Sequence, residues 1–137
     1  MEDDVLLARF VDTTLPAEAF PHREHIRVAR LYLLREPLPL ALARFIEDLK
    51  RFATSKGAAN KYHATITCAF MVLINERMDR FERGREESFE AFAERNADLF
   101  EKSCLLRYYS KETLASPLAK KTFVMPDLGC NDPRASA

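Results

Sequence analysis

Residues 60–81 read NKYHATITCAFMVLINERMDRF. From Ile66 to Ile74 the stretch is apolar on almost every side of a 3.6-residue helical turn, with Ile66, Cys68, Ala69, Phe70, Met71, Val72, Leu73 and Ile74 in succession. A helix with no polar face must be covered by other elements. The segment is therefore expected to be the buried central helix of its domain, capped at its start by Asn60, turning polar at Asn75-Glu76-Arg77 and ending near Arg83-Gly84.

The flanking segments supply amphipathic partners. Leu42, Phe45, Ile46, Leu49 and Phe52 recur at spacings of three and four, opposite Arg44, Glu47, Asp48, Lys50 and Arg51. They predict a helix from Leu38 or Pro39 that Gly57 terminates. Upstream, His22, His25, Ile26, Ala29, Tyr32 and Leu33 share one face of a helix opened by Pro21 as its first residue. It stops at Glu36-Pro37-Leu38-Pro39. A short first helix covers Asp4 to Val11. Ser88 caps a fifth helix, Leu99 to Tyr109 reads as a helical turn or short helix, and Ser110 and Ser116 cap two short helices. No period-2 strand and no repeat stands out. The expected fold is an all-α, compact helical bundle: one domain over residues 1–125, with a partly disordered extension over 126–137.

Composition narrows the function. Lysine plus arginine and aspartate plus glutamate are 21 each, so no strong net field draws the chain to nucleic acid or an anionic membrane. No run of about 18 apolar residues predicts a membrane span, and the acidic MEDDVLLARF start lacks the apolar core of a secretory signal. Cys68, Cys104 and Cys130 form no C-x-x-C pair, which fits neither a disulfide framework nor a thiolate zinc site. A cytoplasmic location is expected. The sequence contains no P-loop, no G-x-G-x-x-G and no G-x-S-x-G.

All three histidines fall at predicted helix starts: His22 and His25 in one, His63 in the other. Short connections make sequential helices antiparallel, so the second and fourth run parallel and begin at the same end of the bundle. Packed axes lie about 8–10 Å apart, close enough for inward-pointing imidazoles to converge. Two functional readings follow. In one, His22, His25 and His63 hold one divalent transition metal (zinc, iron, nickel or copper) with an open coordination position. In the other, no metal is present. His63 and His25 then work as acid and base with Tyr62 and Thr67, while Arg23, Arg27 and Lys61 bind a small, anionic substrate.

Each residue also has a plainer reading. The histidines can be caps or core groups bonded to backbone. Thr67 can bond the carbonyl four residues earlier. Tyr62 can be a helix-start staple, and Glu24 points away from the histidine pair. Arg77 lies about 20 Å along the axis from His63 and reads as an interhelical or solvated ion pair. Arg107-Tyr108-Tyr109 either closes over the site or packs a helix end. The chain is expected to be a small-molecule enzyme or ligand-binding protein with a three-histidine site. The alternative is a non-catalytic accessory or interaction protein with structural histidines.

Together, FPHREHIRVARLYL (20–33), KYHATIT (61–67) and RYYSKETLASPLAKKTFVMPDL (107–128) resemble a family of uncharacterised small bacterial proteins. Its pattern is an aromatic residue, H-x-x-H, an apolar helix and, some forty residues on, Y-H-x-T-x-T. The resemblance spans nearly the whole chain and implies a one-domain, helical, cytosolic bacterial protein. It implies no activity and no catalytic residues.

Overall fold

The computed structural model describes residues 1–81 and 85–128. The fold is all-α. Its helices are α1 (Asp3–Val11), α2 (His22–Arg35), α3 (Leu38–Ser55), α4 (Ala64–Asp79), α5 (Phe89–Arg95), α6 (Lys111–Ala115) and α7 (Pro117–Lys121). Single 3₁₀ segments lie at Ala17–Ala19, Ala59–Lys61, Ala97–Phe100 and Lys102–Arg107. The expected helix end at Arg83-Gly84, Cys130 and the tail from residue 129 onward lie outside the described residues. No helix among those described is long and apolar enough to cross a membrane.

Helices α2, α3 and α4 pack on one another, and α1 lies across α2 and α3. The start of α4 faces the start of α2. His22 at the first position of α2 meets the Phe70 ring of α4 at 5.0 Å between centroids. The aromatic core lies on the α1–α2–α3 side. The Phe10 ring, fully buried, stacks on Phe20 at 4.9 Å and on Phe45 at 5.9 Å, and it touches Tyr32 and Phe52. Each such side chain contributes on the order of 1.5–3 kcal/mol through burial.

Helix ends follow local chemistry. Pro21 is extended and caps α2, whose first helical residue is His22, so the helix begins one residue later than expected. At the end of α3, Gly57 adopts φ +67°, Ala58 N–H donates to the Ala53 carbonyl at 2.8 Å, and Gly57 N–H donates to Thr54 at 3.1 Å. This reversal satisfies the last carbonyls of α3 and turns the chain back toward α4. The Ser88, Ser110 and Ser116 hydroxyls accept the N–H groups of Ala91, Thr113 and Ala119, each at 3.1 Å.

The central helix departs from expectation in two ways. It begins at Ala64, after a 3₁₀ turn and the extended residues Tyr62 and His63, so Asn60 does not cap it. It is also less covered than its composition demands. Although α2, α3, α7 and the Lys102–Arg107 turn surround it, Val72 keeps 45% of its surface. The short C-terminal elements close only part of its circumference. Arg77, near its end, makes a two-pronged ion pair with Asp98 (2.9 and 2.8 Å) and donates to Asn96 Oδ1 at 3.0 Å.

The segment after α7 is fastened to the start of α4. Thr65, fully buried, donates its hydroxyl to the Thr122 carbonyl at 2.9 Å and accepts Val124 N–H at 3.1 Å. Tyr109 donates its hydroxyl to the Val124 carbonyl at 2.7 Å. The Arg107–Tyr109 stretch thus packs the C-terminal strap, and Arg107 pairs with Asp98 at 3.5 Å.

Candidate functional site

The three histidines occupy different surroundings. His22 lies beside the Leu99 carbonyl, 3.0 Å from its Nε2. A carbonyl only accepts, so the ring carries its proton on Nε2 and ties the start of α2 to the 97–100 turn. His25, one turn on, lays its ring on Phe20 with centroids 3.9 Å apart and planes 26° apart. Burial, then the nearby charge of His22, push its pKa down from 6.5 to about 4, against a backbone hydrogen bond at Phe20. His25 is therefore neutral at pH 7.

His63 is itself the cap of α4. Its Nδ1 accepts the Ile66 N–H at 3.1 Å, satisfying one of the orphan donors of the first turn. Its Nε2 lies 2.7 Å from the Leu114 carbonyl and must donate there. Both ring nitrogens are consumed, one by the helix start and one by α6.

Two recesses open at this end of the bundle. The inner one, about 90 Å³, lies between α2, α3 and α4 and is walled by Ile26, Ala29, Phe45, Phe70, Met71 and Ile74, with His22 at its edge. The outer groove, about 410 Å³, runs along the end of α3 and the approach to α4, past Phe20, Phe52, Lys56, Lys61, Tyr62 and His63. His25, Leu49, Ile66 and Thr67 line both. His25 is thus brought together with His22 on one side and His63 on the other, but His22 and His63 share no recess.

This geometry does not assemble the three-histidine metal centre. Among the described residues, no group of three or more histidine, cysteine, aspartate or glutamate side chains could hold a metal ion. His63 has no nitrogen left for one, and the Nε2 of His22 is committed to Leu99. As these hydrogen bonds stand, the three rings present no shared set of free nitrogens for a zinc, iron, nickel or copper ion.

No family model, no curated protein and no solved structure matches the chain. The site therefore stands on its own geometry.

The remaining expected residues divide. Thr67 lines both recesses, but its hydroxyl proton goes to the His63 carbonyl at 2.8 Å, four residues back. It keeps acceptor capacity toward a ligand. Tyr62 lies on the groove with Lys50 Nζ 4.9 Å over its ring. Burial raises its hydroxyl pKa, with Cys68 adding to the rise and Thr67 opposing it. Lys61 is on the groove. Arg23 and Arg27 line neither recess. Arg23 spreads its guanidinium over Phe89 and Phe100 at 5.0 and 5.5 Å. Arg27 binds Asp3 at 2.7 Å, Glu24 at 3.3 Å and the Met1 carbonyl at 2.6 Å.

Sequence reasoning missed Lys56. It stands next to the helix-reversing Gly57, which is the signal that a lysine at the end of α3 reaches the groove. It also missed Phe20, whose ring shelters His25 and which precedes Pro21 directly.

Proposed function

We propose that the protein binds a small organic molecule in the paired recesses, with His25 as the polar group that touches it from both sides. The observation that carries this reading is the position of His25 on the wall common to an apolar recess and a wider groove. Small-molecule sites are concave, mostly apolar and fitted with a few convergent polar groups. His25 and Thr67 are such groups, set among Leu49, Ile66, Phe70 and Met71. A neutral imidazole has one donor and one acceptor, and with the donor turned to the Phe20 backbone the acceptor nitrogen is what His25 presents to a ligand.

Binding is favoured over proton transfer. A base whose conjugate acid has a pKa of about 4 holds a proton poorly at neutral pH, and general catalysis is most efficient near the working pH. Neither His22 Nε2 nor either nitrogen of His63 is free to share the task.

The test is a small-molecule library titrated into the full chain labelled at its histidine rings, followed by NMR at pH 7. Shifts in the His25 ring signals that saturate with ligand are expected, and His25→Leu, while the chain stays folded, weakens the binding of the same molecule measured by calorimetry. A library without a single molecule that moves His25 overturns the reading.

One observation supports a second reading for part of the trio. His22 and His63 each bond a distant backbone carbonyl, as structural histidines do. Should His25 also ignore ligands, all three are fasteners, and the protein is better read as a non-catalytic accessory or interaction protein.

A further inference from the structure

The two recesses differ in charge as well as size, and the difference specifies a class of ligand. Neither is lined by any aspartate or glutamate. The outer groove carries two ammonium groups, Lys56 and Lys61. Among the described residues, neither has a carboxylate within ion-pair range. Lys56 Nζ donates to the Thr13 carbonyl at 3.0 Å and lies 5.2 Å from the Phe52 ring centroid, so its charge is held in place but not neutralised. Two uncompensated cations beside an apolar groove concentrate anions.

The inner recess has the opposite character. Its walls are mainly apolar, Ile26, Ala29, Phe45 and Met71 among them, with His22, His25 and Thr67 as the polar groups, and its volume of about 90 Å³ is smaller than the roughly 150 Å³ of an apolar cavity that takes up benzene. The apolar stretch of these walls favours hydrocarbon. His25, uncharged, does not compete with the lysines for an anionic group.

We infer that the ligand is an amphipathic anion. Its short alkyl tail passes Leu49 and Ile66 into the recess between α2, α3 and α4, and its anionic head remains in the groove by Lys56 and Lys61. This inference rests on the preceding reading that the recesses bind a small molecule. Carboxylate and phosphate heads share the required chemistry.

Calorimetric titration of the full chain at low ionic strength tests it, with butanoate, hexanoate, octanoate, octyl phosphate, 1-octanol and octylamine as probes. Affinity is expected to rise by about fourfold per added methylene until the recess is full. Octanoate or octyl phosphate is expected to exceed 1-octanol by at least about fivefold, and the tighter of the two identifies the head group. Octylamine is expected not to bind. Lys61→Gln lowers octanoate affinity toward that of octanol and leaves octanol unchanged. Ala29→Val, which narrows the inner recess, moves the best chain length downward. If that variant does not fold, the chain-length series on the native protein carries the same information. Equal binding of octanol and octanoate, or affinity independent of chain length, overturns the inference. Those results leave the earlier reading intact if other library molecules still move the His25 ring signals. Silence at His25 toward every compound removes both.

Discussion

His63 Nε2 donates to the carbonyl of Leu114 at 2.7 Å, joining the start of α4 to α6 across fifty-one positions of sequence. The same ring caps α4 through Nδ1. His63→Ala removes both bonds and is expected to cost about 2–3 kcal/mol in urea denaturation. His63→Asn restores a good cap without the reach to Leu114, and should recover about 1 kcal/mol of that loss. Equal stabilities for the two variants would show that the cap contributes nothing.

That bond also marks the limit of what the sequence displays. The apolar stripe Phe45, Leu49 and Phe52 is periodic, and periodicity is local, so α3 is readable from the chain alone. Serine caps and the Gly57 reversal are readable for the same reason, because each satisfies neighbouring backbone groups. The capping role of His63 is readable only as one alternative among several, since histidine is not among the preferred caps and Asn60 offers a better local candidate. Its partner Leu114 is brought near only by the tertiary fold. The parallel starts of α2 and α4 are visible in connection lengths, whereas which ring nitrogen is already occupied depends on contacts with residues 99 and 114. Arg30 illustrates a further limit. It lies on α2 at 4% exposure, with Nη2 on the Glu87 carbonyl at 2.5 Å and its guanidinium 5.4 Å from the Phe92 ring centroid. Nothing local separates it from the exposed arginines nearby.

Thr65 is the buried fastener of the C-terminal strap. Thr65→Val keeps the shape but leaves the Thr122 carbonyl and the Val124 N–H without their partner, at a cost of about 2–4 kcal/mol. Thr65→Ser keeps the hydroxyl and should stay within about 1 kcal/mol of the native protein. Limited proteolysis supplies a second readout: cleavage near residues 122–126 should accelerate in the valine variant and not in the serine one.

Arg77 and Asp98 couple the end of α4 to the turn after α5. Their two-pronged geometry and partial burial predict a coupling of about 1–3 kcal/mol in a double-mutant cycle of Arg77→Met and Asp98→Asn. The Arg77 hydrogen bond, more than any other interaction, holds the Asp98 carboxyl below its usual pKa of 3.8. Its folded-state pKa is depressed, so the pair's contribution is present above the unfolded value and disappears as pH falls through the folded one. The coupling should be unchanged from pH 7 to pH 5 and decline only in more acidic solution.

His25 titrates in a different window and with a different partner state. Its folded pKa is about 4 against 6.5 for a free imidazole, so the unfolded chain takes up a proton that the folded chain resists. Above about pH 6.5 both states are neutral and the shift has no effect on stability. As pH falls from about 6.5 toward 4 the unfolded state gains protons first, and the fold loses up to about 3 kcal/mol from this group alone. His25→Gln cannot take up that proton. The difference in unfolding free energy between the native protein and this variant should therefore be constant from pH 8 to 7 and shift toward the variant between pH 6.5 and 4. Urea denaturation at four pH values across that range measures it. A difference that stays flat would show that His25 is protonated in the folded protein as readily as in water, and the sheltering by Phe20 and the recess walls would then have to be abandoned as its cause.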